Sequence, residues 1–175
     1  MQQTFLFDTV AVIVGPWRTT MERGARVEVR RLADEAQRGS RAAAQRIVID
    51  QPIFRADLFD RVDAPAGNLG RAHFHPRFNG VEPCERTWSE SLQRDPTGWL
   101  AAELGDLDGL LAHAGIDRTD ARRVDDDAVA LRRAMPLVLA AVEAAWDEVR
   151  SGDLAERVFE FLGAVRQPRP PFVTQ

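Results

Sequence analysis

From Thr4 to Val14 the chain is almost continuously β-branched or aromatic, with apolar residues at odd and even positions alike. That pattern predicts a central strand covered on both faces, ended by Gly15-Pro16. Ala25 to Leu32 behaves differently: Arg26, Glu28 and Arg30 alternate with Val27 and Val29, the period-two pattern of a strand with one wet face. The polar stretch Arg18 to Gly24 suits a hairpin connection, so the two strands are expected to pair antiparallel. Asp34 to Ala44 is polar, alanine-rich and broken by Gly39-Ser40, and reads as a surface loop or a frayed helical turn. Ile47 to Asp60 resumes the strand pattern. Pro52 cannot donate to a ladder, which predicts two short strands or one edge strand with a bulge, with a break near Gln51-Pro52. Asp63 to Gly70, rich in turn residues, is a long turn leading to His73.

The second half changes period. Asp95-Pro96 is an N-cap followed by proline at the first helical position, opening a helix to about Leu104 that Gly105 stops. Asp106 caps another helix, with Leu107, Leu110, Leu111 and Ala114 on one face and Gly115 at its end. Asp120 or the run Asp125-Asp126-Asp127 starts a longer helix to about Arg150, in which Pro136 predicts a kink or break. Ser151-Gly152-Asp153 is expected to separate a last helix, Leu154 to about Val165. Strands followed by helices predict an α+β fold: a mainly antiparallel N-terminal sheet covered on one face by C-terminal helices. Residues 1–166 form one domain in this reading, and 167–175 a Pro-rich extended tail.

Composition narrows the chemistry. With 175 residues, 45% of them hydrophobic, the chain can build one core. A net charge of -4 argues against a broad basic surface for nucleic acid. The single cysteine, Cys84, allows no internal disulfide and no multi-cysteine metal site. No apolar run reaches the roughly 20 residues needed to cross a bilayer, and no basic segment precedes the first apolar stretch. The expectation is a cytoplasmic protein without a membrane span.

The chemistry-bearing stretch is Arg71-Ala72-His73-Phe74-His75-Pro76-Arg77-Phe78. If extended, it projects His73, His75 and Arg77 from one face and Phe74 and Phe78 from the other. Two imidazoles at this spacing can share a divalent metal ion, with a third ligand from Glu82, Asp57, Asp60 or His113. Glu82 is taken as that ligand, since His113 reads as a helix C-terminal residue. Alternatively the histidines act as general acid and base while Arg77, or Arg71 beside it, holds a phosphate or carboxylate. Asp57 shares a strand face with Arg55 and Phe59, and either orients a histidine or pairs with Arg55.

Gly67-Asn68-Leu69-Gly70-Arg71-Ala72-His73-Phe74-His75 resembles the opening of the first cupin motif. Cupins place a glutamate a few residues on, whereas Glu82 comes later; their second motif is missing, and the helix-rich second half departs from a double-stranded barrel. Only the local ligand logic carries over.

The remaining candidates have structural explanations. Glu82 and Glu85 near Cys84 would raise its pKa, against a nucleophilic role. Ser89 and Ser91 read as caps of a short helix, Asp125 to Asp127 as dipole partners, and Trp88, Trp99 and Trp146 as packing between helices and sheet. Two functions are therefore expected. The first is a small hydrolase or nuclease-like phosphodiesterase acting on a small-molecule or phosphoester substrate. The second is a non-catalytic module that binds or regulates another protein through an edge strand or the tail.

Overall fold

The computed structural model describes residues 1–34, 47–116 and 124–165, with the backbone alone at Asp34, Ile47 and 153–165. The expectations for 35–44, for a helix start at Asp120 and for the 167–175 tail lie outside the described residues, as does the side-chain packing expected of the segment after Asp153. The fold is α+β. Strands β1 (Gln3–Leu6), β2 (Val10–Arg18), β3 (Glu22–Asp34), β4 (Ile47–Arg61) and β5 (His73–His75) form an antiparallel sheet in sequence order, and β6 (Phe78–Asn79) pairs with β7 (Glu82–Pro83) separately. Helices α1 (Glu90–Arg94), α2 (Pro96–Gly105), α3 (Leu107–His113) and α4 (Val124–Val165) follow.

The run expected to be one strand from Thr4 to Val14 is a hairpin, turned at Phe7 to Thr9, and β2 continues through Gly15-Pro16 to Arg18. Asp127 explains the turn. Its buried carboxylate accepts the N–H of Asp8 at 2.8 Å and of Thr9 at 2.7 Å, and the Thr9 hydroxyl also donates to it. The start of α4 therefore pins the first hairpin. Thr19 closes the next turn, its hydroxyl accepting from the N–H groups of Met21 and Glu22. In β4, Val29 faces Phe54 but Arg30 faces Pro52, so β4 carries an extra residue there. This is the bulge expected of Pro52, inside one continuous strand and beyond the three rungs shared with β5.

The caps follow the sequence. Ser89 Oγ accepts from Leu92 N–H, Asp95 Oδ1 from Gly98 N–H at 2.9 Å and Asp106 Oδ1 from Gly109 N–H at 3.0 Å. The helix α4 overturns the breaks expected at Pro136 and at Ser151-Gly152-Asp153. It runs 42 residues without interruption, through Pro136, which is exposed, and through Ser151-Gly152-Asp153. Glycine costs a helix interior only about 1 kcal/mol, too little to end a helix this long.

One face of the sheet is apolar: Val10, Val12, Val14, Ala25, Val27, Val29, Phe54, Ala56 and Leu58 are buried. Against it α4 presents Leu131, Met135, Val138, Val142 and Trp146 at helical spacing, with Leu100 and Leu104 of α2 and Leu107 and Leu111 of α3 filling in. Trp146 Nε1–H donates to Leu58 O at 3.0 Å, fixing the helix on β4. Among the described residues no helix is long and apolar enough to cross a membrane.

Asp127→Ala leaves two strand-turn N–H groups without their acceptor. Urea denaturation is expected to show a loss of about 2 kcal/mol or more, and Asp127→Asn, which keeps one acceptor oxygen, a smaller loss.

Candidate functional site

The opposite face of the sheet is polar, and strand register decides what meets there. Arg26 on β3 lies opposite Asp57 on β4, which lies opposite His73 on β5. One rung along, Glu28 faces Arg55 and Arg55 faces His75. Charges therefore alternate across both rows, an arrangement that favours this register over its neighbours.

Both imidazoles are oriented by backbone. His73 Nδ1 lies 2.7 Å from Arg71 O and His75 Nδ1 2.6 Å from Cys84 O. A carbonyl oxygen only accepts, so each Nδ1 carries the hydrogen, and in the neutral ring each Nε2 holds a lone pair. Those two atoms converge on Asp57 Oδ2, at 3.4 Å from His73 and 3.7 Å from His75, and the three lie within 4.8 Å of one another. Three electron-rich atoms facing one another in a buried site repel unless something positive lies among them, either a proton or a metal ion. His73 Nε2 is buried and makes no well-formed hydrogen bond. Tetrahedral ligands bonded at about 2.1 Å stand roughly 3.4 Å apart, close to the two Nε2–Oδ2 separations.

Asp57 is held from its other side. Arg26 Nε donates to Oδ1 at 2.7 Å and Nη2 reaches Oδ2 at 3.3 Å. Burial opposes ionisation of Asp57, but imidazoles that carry a proton on Nε2 and donate it to the carboxylate, together with the Arg26 guanidinium, outweigh it and hold the carboxyl well below the usual carboxylate range. Arg26 itself lies 3.7 Å over the Trp17 ring, and Trp17 stacks on Phe59 with centroids 6.4 Å apart. Gly24 sits between these two in the register, where a Cβ would come within 2.1 Å of Leu58 O. The adjacent row is closed on itself, since Glu28 accepts from Arg55 at 2.8 Å and Arg30 at 2.8 Å.

The structure sorts the candidates. His73, His75 and Asp57 come together, but they are only 1%, 5% and 2% exposed, so they do not line an open cleft. Arg77 does not share their face as expected: β5 ends at His75, Pro76 follows, and Arg77 is exposed outside the strand. Glu82 is exposed on β7, opposite Asn79, and is not among the three clustered ligand atoms; Asp57 occupies that role. Arg71 contributes its carbonyl to His73, while its side chain pairs with Glu22 at 2.9 Å. That side chain also lines a cavity of about 380 Å³ with Thr20, Met21, Arg61, Val62 and Asp63. Asp60 accepts from Gly67 and Leu69 N–H, both at 2.6 Å, and shapes the turn before His73. The His113 Nδ1 lies 2.8 Å from Gly109 O in its own helix.

Three further residues matter that the sequence reading placed elsewhere. Arg26 was expected only to wet a strand face, and Asp57 pairs with it rather than with Arg55. Trp88 does not pack between helices and sheet: it is 46% exposed and lies 5.3 Å from the His73 ring, between that imidazole and solvent. Cys84 supplies its backbone carbonyl to the site, while its thiol lies 3.6 Å from Glu85 O.

The depressed Asp57 pKa has a stability consequence with a definite sign. Below about pH 4 the unfolded chain takes up a proton at Asp57 that the folded chain refuses, so the stabilisation is complete above that pH and is lost as pH falls. Thermal melts of chelator-treated protein from about pH 5 to 2 are expected to fall more steeply for the wild type than for Asp57→Asn. No protein-family model matches this chain, and no curated protein or solved structure matches it either.

Proposed function

We propose that this protein is a metal-dependent hydrolase whose centre is a divalent transition-metal ion held by Asp57, His73 and His75. The observation that carries the reading is the convergence of both Nε2 atoms on Asp57 Oδ2 while both Nδ1 atoms are committed to backbone carbonyls. Such carbonyl partners fix ring orientation and raise the basicity of the ligating nitrogen. A metal-free acid–base pair is less well supported, because neither histidine has a ring nitrogen turned to solvent. Two imidazoles and one carboxylate suit a zinc-like ion, which supplies Lewis acidity and a water acidified to near pH 7 when bound.

The remaining work falls to the chain. Trp88 limits water at His73, and the exposed side of its ring marks the direction of substrate entry. Arg71, on the cavity wall, is suited to hold an anionic group such as a phosphoester or carboxylate. The burial of all three ligands favours a second reading, a closed structural metal site in a non-catalytic domain.

Metal analysis and zinc titration of the untagged protein are expected to give one ion per chain. His73→Ala and His75→Ala should each weaken binding by more than the roughly 10–100-fold typical of losing an outer-shell partner. Saturation at about 100 times Kd should stabilise the wild type by about 2.7 kcal/mol. Metal-dependent turnover of bis(4-nitrophenyl) phosphate, lost in both histidine variants, supports the hydrolase; tight binding and stabilisation without turnover of phosphoesters or carboxylic esters supports the structural site.

A further inference from the structure

We propose that Arg26 is a positioning residue that restricts Asp57 to one ligand oxygen, and so keeps a coordination position for an oxygen of an anionic substrate. This rests on the metal reading above and adds what the site selects. A free aspartate can bind a cation through one oxygen or both. Here Arg26 Nε holds Oδ1 at 2.7 Å while its Nη2 reaches Oδ2 only at 3.3 Å, so Oδ1 is the oxygen drawn to the guanidinium and Oδ2 the one that faces both imidazoles.

The restraint is well anchored. Arg26 stands directly across the strand pair from Asp57, and its guanidinium carbon lies 3.7 Å over the Trp17 ring, which is braced by Phe59 with the rings 6° from parallel. Gly24 lies between Trp17 and Phe59 in the register, and its lack of a side chain lets β3 approach the backbone of Leu58 and Phe59. A guanidinium keeps its proton at any ordinary pH and offers a planar fork, so the hold on Oδ1 is permanent and directional.

The same pairing fixes the charge that a ligand meets. Arg26 cancels Asp57, and an imidazole that ligates an ion adds no charge of its own, so a divalent ion held there would retain its full charge within the site. Neighbouring carboxylates do not offset it: Glu28 is shared by Arg30 and Arg55, and Glu22 by Arg71 and Arg86. Each of these clusters carries one guanidinium in excess. A phosphate or carboxylate oxygen is the ligand that such a field favours, over a neutral amide or an amine.

Cobalt(II) titration of the full-length protein, followed by inorganic phosphate, reads both parts of the inference through visible absorption. The wild type is expected to show the intense bands of a low-coordinate ion, shifted by phosphate. In Arg26→Met, Oδ1 is free to join the ion, so the bands should weaken and the phosphate affinity fall by about tenfold or more. Arg26→Lys keeps the charge without the fork and should show the weakened bands with part of the phosphate response; it also serves if the methionine variant does not fold. Bands and phosphate affinity unchanged in the folded variants would overturn the role of Arg26 while leaving the metal site standing. A wild type that binds no cobalt would remove the metal reading, and this inference with it.

Discussion

Two backbone carbonyls, those of Arg71 and Cys84, decide the chemistry of both histidines. Each takes an Nδ1 proton, and each thereby turns an Nε2 lone pair toward Asp57. Without them the rings could flip or change tautomer, and the convergence on Oδ2 would dissolve into ordinary buried histidines. The carbonyls are held in place by structure on either side of β5. The Arg71 N–H donates to Phe59 O, the turn before it is tied to Asp60, and reciprocal hydrogen bonds between Phe74 and Thr87 hold the segment after Cys84. The Cys84 N–H donates to Arg77 O, which closes the small excursion through β6 and β7.

The two faces of the sheet divide the labour. The apolar face binds the helices, and α4 reaches across to clamp the first hairpin through Asp127. With that face fully occupied, the polar face is free of the demand to pack aliphatic residues. It can hold rows of charges in which every carboxylate faces at least one guanidinium, as Asp57 faces Arg26 and Glu28 faces Arg55, which is how a buried carboxylate is tolerated at all. Glycine at position 24 lets β3 approach the β4 backbone at Leu58, beside the stacked Trp17 and Phe59 rings on the charged face.

Much of this was legible in the sequence because period two and period 3.6 are direct readouts of burial. The alternation around Val27 and Val29, the caps at Asp95 and Asp106 and the shared face of His73 and His75 all follow from it. What periodicity omits is register. It places Arg26 and Asp57 on wet faces but does not say that they stand opposite each other, so Asp57 stays open between orienting a histidine and pairing with Arg55, and Glu82 is preferred over it as third ligand. Backbone acceptors leave no mark in a sequence, so the Arg71 and Cys84 carbonyls could not be read. The turn at Asp8-Thr9 was hidden for a related reason, since its partner, Asp127, lies 119 residues from Asp8. A signal was present for Arg77, because Pro76 ends ladder pairing and the side-chain alternation that depends on it.

The three clustered ligand atoms and the carbonyls that aim them all come from the stretch Asp57 to Cys84. Closing a loop of that size carries a modest entropic cost, which grows only slowly with length. The hairpin of β4 and β5 is thus a local assembly, able to form its inner geometry before the distant helical layer docks. Arg26, from β3, arrives from outside it. An ion bound by Asp57, His73 and His75 would tie β5 to β4 directly, so that affinity for the ion and stability of this strand pair would be linked.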